Sequence, residues 1–150
     1  MCLNRNPQET KKYRAKTKPI VAWKVIAVKR YNGKVFSSSP FVMGFGFLWK
    51  EGLNQSSRLS VVDCYCTTRN SGFHCFLRRK DARNLVKSMI NTNKWNLNYS
   101  QNDGCKYRVI KVLIEPKDVI MAGTWEYALN LYNPKNIQAT KVTVPYLPKR

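Results

Sequence analysis

Acidic residues are scarce in this chain: 8 Asp and Glu stand against 27 Lys and Arg, and there is a single histidine. One histidine excludes a two-histidine site, and eight scattered carboxylates offer no obvious catalytic pair. Long apolar runs are missing too. The longest uncharged stretch, Val35–Trp49, is broken by Ser37, Ser38, Ser39, Pro40, Gly44 and Gly46, so nothing approaches the ~18 apolar residues of a membrane span. Cys2, Cys64, Cys66, Cys75 and Cys105 form an odd set without a disulfide-framework spacing. Met1–Pro19 has neither the apolar core nor the small-residue cleavage site of a secretory signal. Reduced thiols and a cytoplasmic setting without a membrane partner are therefore expected.

What is present is enough for a core. The chain has 150 residues, 43% apolar and 12% aromatic, which excludes disorder throughout and fits one domain. Its formal net charge is +19. Such a field carries a standing cost in self-repulsion and implies an anionic partner: nucleic acid, a nucleoprotein complex, or an acidic protein. The charge is uneven, with +8 in residues 1–30 and +5 in residues 70–94.

Residues 1–18 read as a flexible basic arm, with Lys11, Lys12, Arg14, Lys16 and Lys18 around Tyr13 and no apolar face to bury. A single α+β domain over 19–150 follows. Ile20–Lys29 is apolar on both faces with only Lys24 interrupting, the pattern of a central strand. Asn32-Gly33 is a hairpin-type turn returning into Val35-Phe36. Phe41–Trp49 is apolar with glycines that suggest a bulge, and Leu59–Thr67, Phe73–Leu77 and Tyr107–Ile114 read as strands. Lys80–Ile90 is an amphipathic helix whose Ala82, Leu85, Val86, Met89 and Ile90 form one stripe. Residues 91–106 are Asn-rich and loop-like, and Glu115–Asp118 is a turn. Val119–Ala122 is a short strand, a second short helix is expected over Thr124–Leu131, and Ile137–Val144 is a final strand. The sum is an α+β fold on an antiparallel or mixed sheet.

Candidate chemistry follows from the charge. Lys80, Arg83 and Lys87 lie opposite the apolar stripe, flanked by Arg78, Arg79 and Lys94, with only Asp81 to offset them. Rows of cations at helical spacing can follow phosphates. Tyr13, Trp95 and Tyr99 near basic residues could stack on bases. Cys64-x-Cys66 and His74-Cys75 are close enough in sequence to consider zinc. Adjacent residues on a strand point to opposite faces, so structural thiols are the better account and no metal or cofactor is expected. No recognisable catalytic spacing names a reaction, so a non-enzymatic binding role leads. The alternative is an inhibitor or accessory protein docking on a host complex, with Trp49, Trp95 and Trp125 as interface aromatics.

Met1-Cys2-Leu3, Trp23-Lys24-Val25, Ser39-Pro40-Phe41, Gly72-Phe73-His74-Cys75-Phe76 and the Lys111-Val112…Pro116-Lys117 segment together resemble a group of small uncharacterised proteins of tailed phages and gut bacteria. The resemblance covers roughly residues 20–145 and implies a phage accessory protein working in a host cytoplasm, without an assigned activity. A fainter likeness is to small ADP-ribosyltransferases. In that family a Gly-aromatic-x-aromatic strand running into an Ala-containing helix lies near the NAD pocket, as Gly72–Phe76 and Asp81-Ala82 would. Ser37-Ser38-Ser39 would be its serine strand and Glu126 its catalytic glutamate. No Arg or His occupies the first-strand position, so this likeness implies a degenerate form that has kept binding and lost catalysis.

Overall fold

A computed structural model of the chain describes residues 2–31, 34–38, 48–56, 72–95, 106–126 and 134–149. The elements over these residues run β1 (Cys2–Arg5), α1 (Pro7–Arg14), β2 (Ile20–Tyr31), β3 (Lys34–Ser38), β4 (Gly52–Gln55), β5 (Phe73–Phe76), α2 (Arg79–Trp95), β6 (Lys106–Ile114), β7 (Val119–Glu126), β8 (Lys135–Ala139) and β9 (Lys141–Val144). A 3₁₀ turn, Pro116–Asp118, joins β6 to β7. Every strand pairing among the described residues is antiparallel, so the fold is α+β on an antiparallel sheet.

The sheet order is β1-β7-β8-β5-β2-β6-β9-β4, with β3 paired to β2. Only Thr140 separates β8 from β9. The path from β8 through β5, β2 and β6 to β9 thus begins and ends on one stretch of chain, and the sheet curls back on itself. Thr140 makes the corner. Its N–H donates to Asp118 O (3.0 Å), one residue past the β7 ladder, and its carbonyl accepts from Ser56 N–H (3.0 Å), one residue past the β4 ladder, so the chain changes partners there. The expected continuous strand 137–144 is divided for that reason.

The curl gives β2 two apolar surroundings. Ile20, Ala22, Ile26 and Val28 face an interior filled by residues that include Phe73, Val112, Ile114, Ile137 and Val142. Trp23 and Val25 face the other way, beneath Ala82, Leu85 and Val86 of α2. Each buried aliphatic side chain contributes about 1.5–3 kcal/mol, so both layers hold β2 in place. Trp49, expected as an interface aromatic, is 4% exposed and packs on Phe73 with ring centroids 4.9 Å apart. Gly72 lets β5 approach β8: a Cβ there would meet Ala139 O and Ile120 Cδ1 at 2.6 Å.

Four further differences from the sequence reading have physical causes. Residues 2–14, expected as part of an arm, form β1 on β7 and α1 beside it. Asn6 caps the helix by accepting Glu9 N–H at 3.0 Å, Pro7 supplies the first helical residue, and polar contacts dock it together with Tyr13, which packs against the core. α2 runs on to Trp95 through Asn91, Thr92 and Asn93, whose low helix propensity is a weak prior of a few tenths of a kcal/mol each. Ile90 is 45% exposed and lies outside the buried stripe. Thr124–Glu126 continue β7 instead of opening a helix, held by pairing with β1 and β8. The expected strand Leu59–Thr67 and most of Phe41–Trp49 lie outside the described residues, as does Leu131.

Candidate nucleic-acid interface

The two basic segments are some sixty residues apart in sequence, and the sheet brings them together. Leu77, just before α2, donates its N–H to Lys135 O at 3.0 Å. Lys135 Nζ donates to Glu9 Oε1 at 2.9 Å, and Tyr13 lies one helical turn beyond Glu9 on α1. An open groove of about 520 Å³ follows this junction, with walls from Tyr13, Ala15–Val21 and Leu77. Lys16 Nζ stands 5.7 Å from the centroid of the Tyr13 ring. Burial first, and the Glu9 carboxylate second, push the Tyr13 phenol above its ordinary pKa, while Lys135 and Arg78 pull against them. Arg78 is therefore electrostatically part of the same corner.

Around this corner the cations are open to solvent. Lys11, Lys12, Lys16 and Lys18 are exposed in the first segment, and Arg78, Arg79, Lys80, Arg83 and Lys87 in the second. From Arg79 to Lys87 the α2 row extends about 12 Å along the helix at 1.5 Å per residue. The acids within the two segments are withdrawn from this surface. Glu9 is held by Lys135, whose ammonium the resulting hydrogen bond keeps charged to above the usual lysine range, and Asp81 is only 3% exposed.

Not every predicted cation is free for a ligand. Arg14 donates through Nε to Val119 O and through Nη2 to Ile120 O, both at 2.9 Å. Those carbonyls flank the register shift between Val119 and Met121, so Arg14 pins α1 to an irregular piece of β7. Thr10 adds to the dock: its hydroxyl accepts Ala122 N–H at 2.9 Å and donates to Asn6 O at 2.9 Å. The Arg79 guanidinium stacks over Trp23 at 5.0 Å. Lys94 lies in α2, and its side chain and those of Trp95, Trp125 and Glu126 are outside the described residues, as is Tyr99.

Comparison with protein-family models, with curated proteins and with solved structures finds no match to this chain.

The remaining candidates sit elsewhere. Glu126 ends β7, paired with Cys2, whereas Ser37 and Ser38 lie in β3 with β8, β5 and β2 between them along the sheet path; Ser39 is outside the described residues. Cys75 is buried in the interior, its thiol directed at Phe73 O at 3.9 Å, and burial pushes that thiol up to about 11. Cys64 and Cys66 are outside the described residues, among which no group of metal-binding side chains occurs. No helix among them is long and apolar enough to cross a membrane.

One residue the sequence reading left unused is Lys24. It faces the interior with Ile20, Ala22, Ile26 and Val28, donates Nζ to His74 O at 2.8 Å and lies 5.9 Å from the Trp49 ring centroid. Part of its side chain remains accessible, but the ammonium is enclosed deeply enough for desolvation to lower its pKa, with the Cys75 thiol a smaller opposing influence. As the one charged residue within the two-sided apolar run Ile20–Val28 it was visible; its depth was not.

Proposed function

We propose that this protein binds nucleic acid through phosphate contacts made by the surface where residues 11–18 meet residues 78–87. The observation that carries this reading is the joint withdrawal of Glu9 and Asp81, which leaves two cation-rich segments, joined at the corner of Tyr13, Leu77 and Arg78, with no exposed, unpaired acid of their own. A solvated helix face ordinarily mixes signs, and this one does not. Lys11, Lys12, Lys16, Lys18, Arg78, Lys80, Arg83 and Lys87 supply the contacts; Arg14 and Arg79 serve the fold. Phosphate contacts fix position without reading bases, so binding is largely independent of sequence.

Binding measured by anisotropy across a salt series tests this. Engagement of about five of these cations gives a slope of about −4 in log K against log[salt]. A flat plot, or affinity that changes tenfold or more with base sequence at fixed length, contradicts the reading.

A further inference from the structure

The groove beside the cations has a character that phosphate contacts alone do not use. Its lining is mixed: Pro19, Ile20 and Val21 at the start of β2 and Leu77 before α2 supply apolar surface, in about equal share with polar surface. Val21 is 44% exposed, an open aliphatic side chain in a surface otherwise dominated by charge. Tyr13 forms a wall, and Lys16 and Lys18 lie along the same lining. A cleft of about 520 Å³ falls within the ~300–1,000 Å³ range of small-ligand sites. A lining that mixes apolar side chains with cations is complementary to a molecule with a flat apolar face attached to an anion.

We propose that this groove takes an unpaired nucleobase, so that the preferred ligand is single-stranded nucleic acid. In a duplex the faces of the bases are stacked and hidden, and only phosphates and groove edges reach the protein. An unpaired nucleotide can lay its base against Val21, Leu77 and Tyr13 while its phosphates lie on Lys16, Lys18 and Arg78. Contacts of this kind tolerate any base, because every base has an apolar face. This inference rests on the nucleic-acid reading above and adds to it the strandedness of the ligand.

The test compares four fluorescein-labelled ligands of equal length at one salt concentration: oligothymidylate, oligouridylate, an abasic deoxyribose-phosphate strand, and a blunt duplex. The full chain binds the first two about tenfold more tightly than the abasic strand and more tightly than the duplex. Their ratio tells DNA from RNA preference. Val21→Ser, at an exposed position that leaves folding intact, and Tyr13→Ala remove that advantage, whereas Tyr13→Phe retains it; none of the three changes the salt slope. Far-ultraviolet circular dichroism verifies that each variant is folded, and Val21→Ser decides the matter if Tyr13→Ala is not. Equal affinity for the abasic strand and oligothymidylate, or tighter binding of the duplex, overturns the groove assignment and leaves phosphate binding standing. Absence of salt-dependent binding to all four overturns both.

Discussion

Replacing Lys24 with methionine should make the fold more stable, by an amount that shrinks as pH rises. Lys24 holds an ammonium inside the curl of the sheet against a neutral carbonyl, His74 O, and the face of Trp49, with no carboxylate in ion-pair distance among the described residues. Enclosing such an ion costs several kcal/mol even after relaxation, and one charged hydrogen bond with one cation–π contact recovers only part of it. Methionine matches the volume and needs no partner. A net gain of about 1–2 kcal/mol at neutral pH is expected.

The sign of the pH dependence follows from linkage. The folded-state pKa of Lys24 is lowered, so the unfolded chain binds more protons between that value and 10.5. The penalty is full below the folded pKa, declines as pH climbs through that window, and is gone above 10.5. Cys75 acts in the opposite direction: its thiol stays protonated in the fold up to about 11 while the unfolded chain ionises near 9.0, which costs roughly 2–3 kcal/mol of stability across that interval. Urea unfolding followed by tryptophan emission, from pH 7 to 10.5 and in a Cys75→Ala background, separates the two. A difference between lysine and methionine that stays constant with pH, or a methionine variant less stable at pH 7, would refute the reasoning.

Other perturbations probe the frame that positions the groove. Gly72→Ala forces a Cβ to 2.6 Å from the Ala139 carbonyl oxygen, a backbone atom in β8 with little freedom; a loss of about 1–3 kcal/mol in urea unfolding is expected, and an unchanged midpoint contradicts the close approach. Thr10→Val keeps the shape but takes the acceptor from Ala122 N–H at a site only 3% exposed. It should cost about 1–3 kcal/mol and speed hydrogen exchange at the Ala122 amide, and unaltered exchange there contradicts it. Arg14→Met removes two hydrogen bonds to β7 and should expose the bonds after Lys11 and Lys12 to trypsin before the rest of the chain unfolds. Cleavage at the wild-type rate would show that α1 is held by other means.

The strands were legible where burial is two-sided. Ile20–Lys29 announced a central position because apolar residues fill both faces, and β2 lies between β6 on one side and β5 and β3 on the other. The amphipathic stripe of α2 was equally plain through Val86. The docking of residues 2–14 was not, because it runs through one threonine hydroxyl, one guanidinium, backbone carbonyls and the single ring of Tyr13, none of which leaves a periodic pattern. The corner at Thr140 was hidden for a related reason: β8 and β9 keep one strand-like pattern while their partners change. Of the site, the sequence showed the two charge concentrations and Tyr13. It did not show that Leu77, Lys135 and Glu9 would join them at one corner, or that Glu9 and Asp81 would be taken out of the field.

Two triple variants of equal net charge test the central claim most directly. One replaces Lys16, Lys18 and Arg78 with glutamine; the other replaces Lys50, Lys106 and Lys149, which are also exposed but lie away from the groove lining. If the partner is held where the two basic segments meet, the first variant loses about 2 from the salt slope for a single strand and the second keeps the wild-type slope. Equal losses in both would show that the binding follows bulk charge, with no site at the junction.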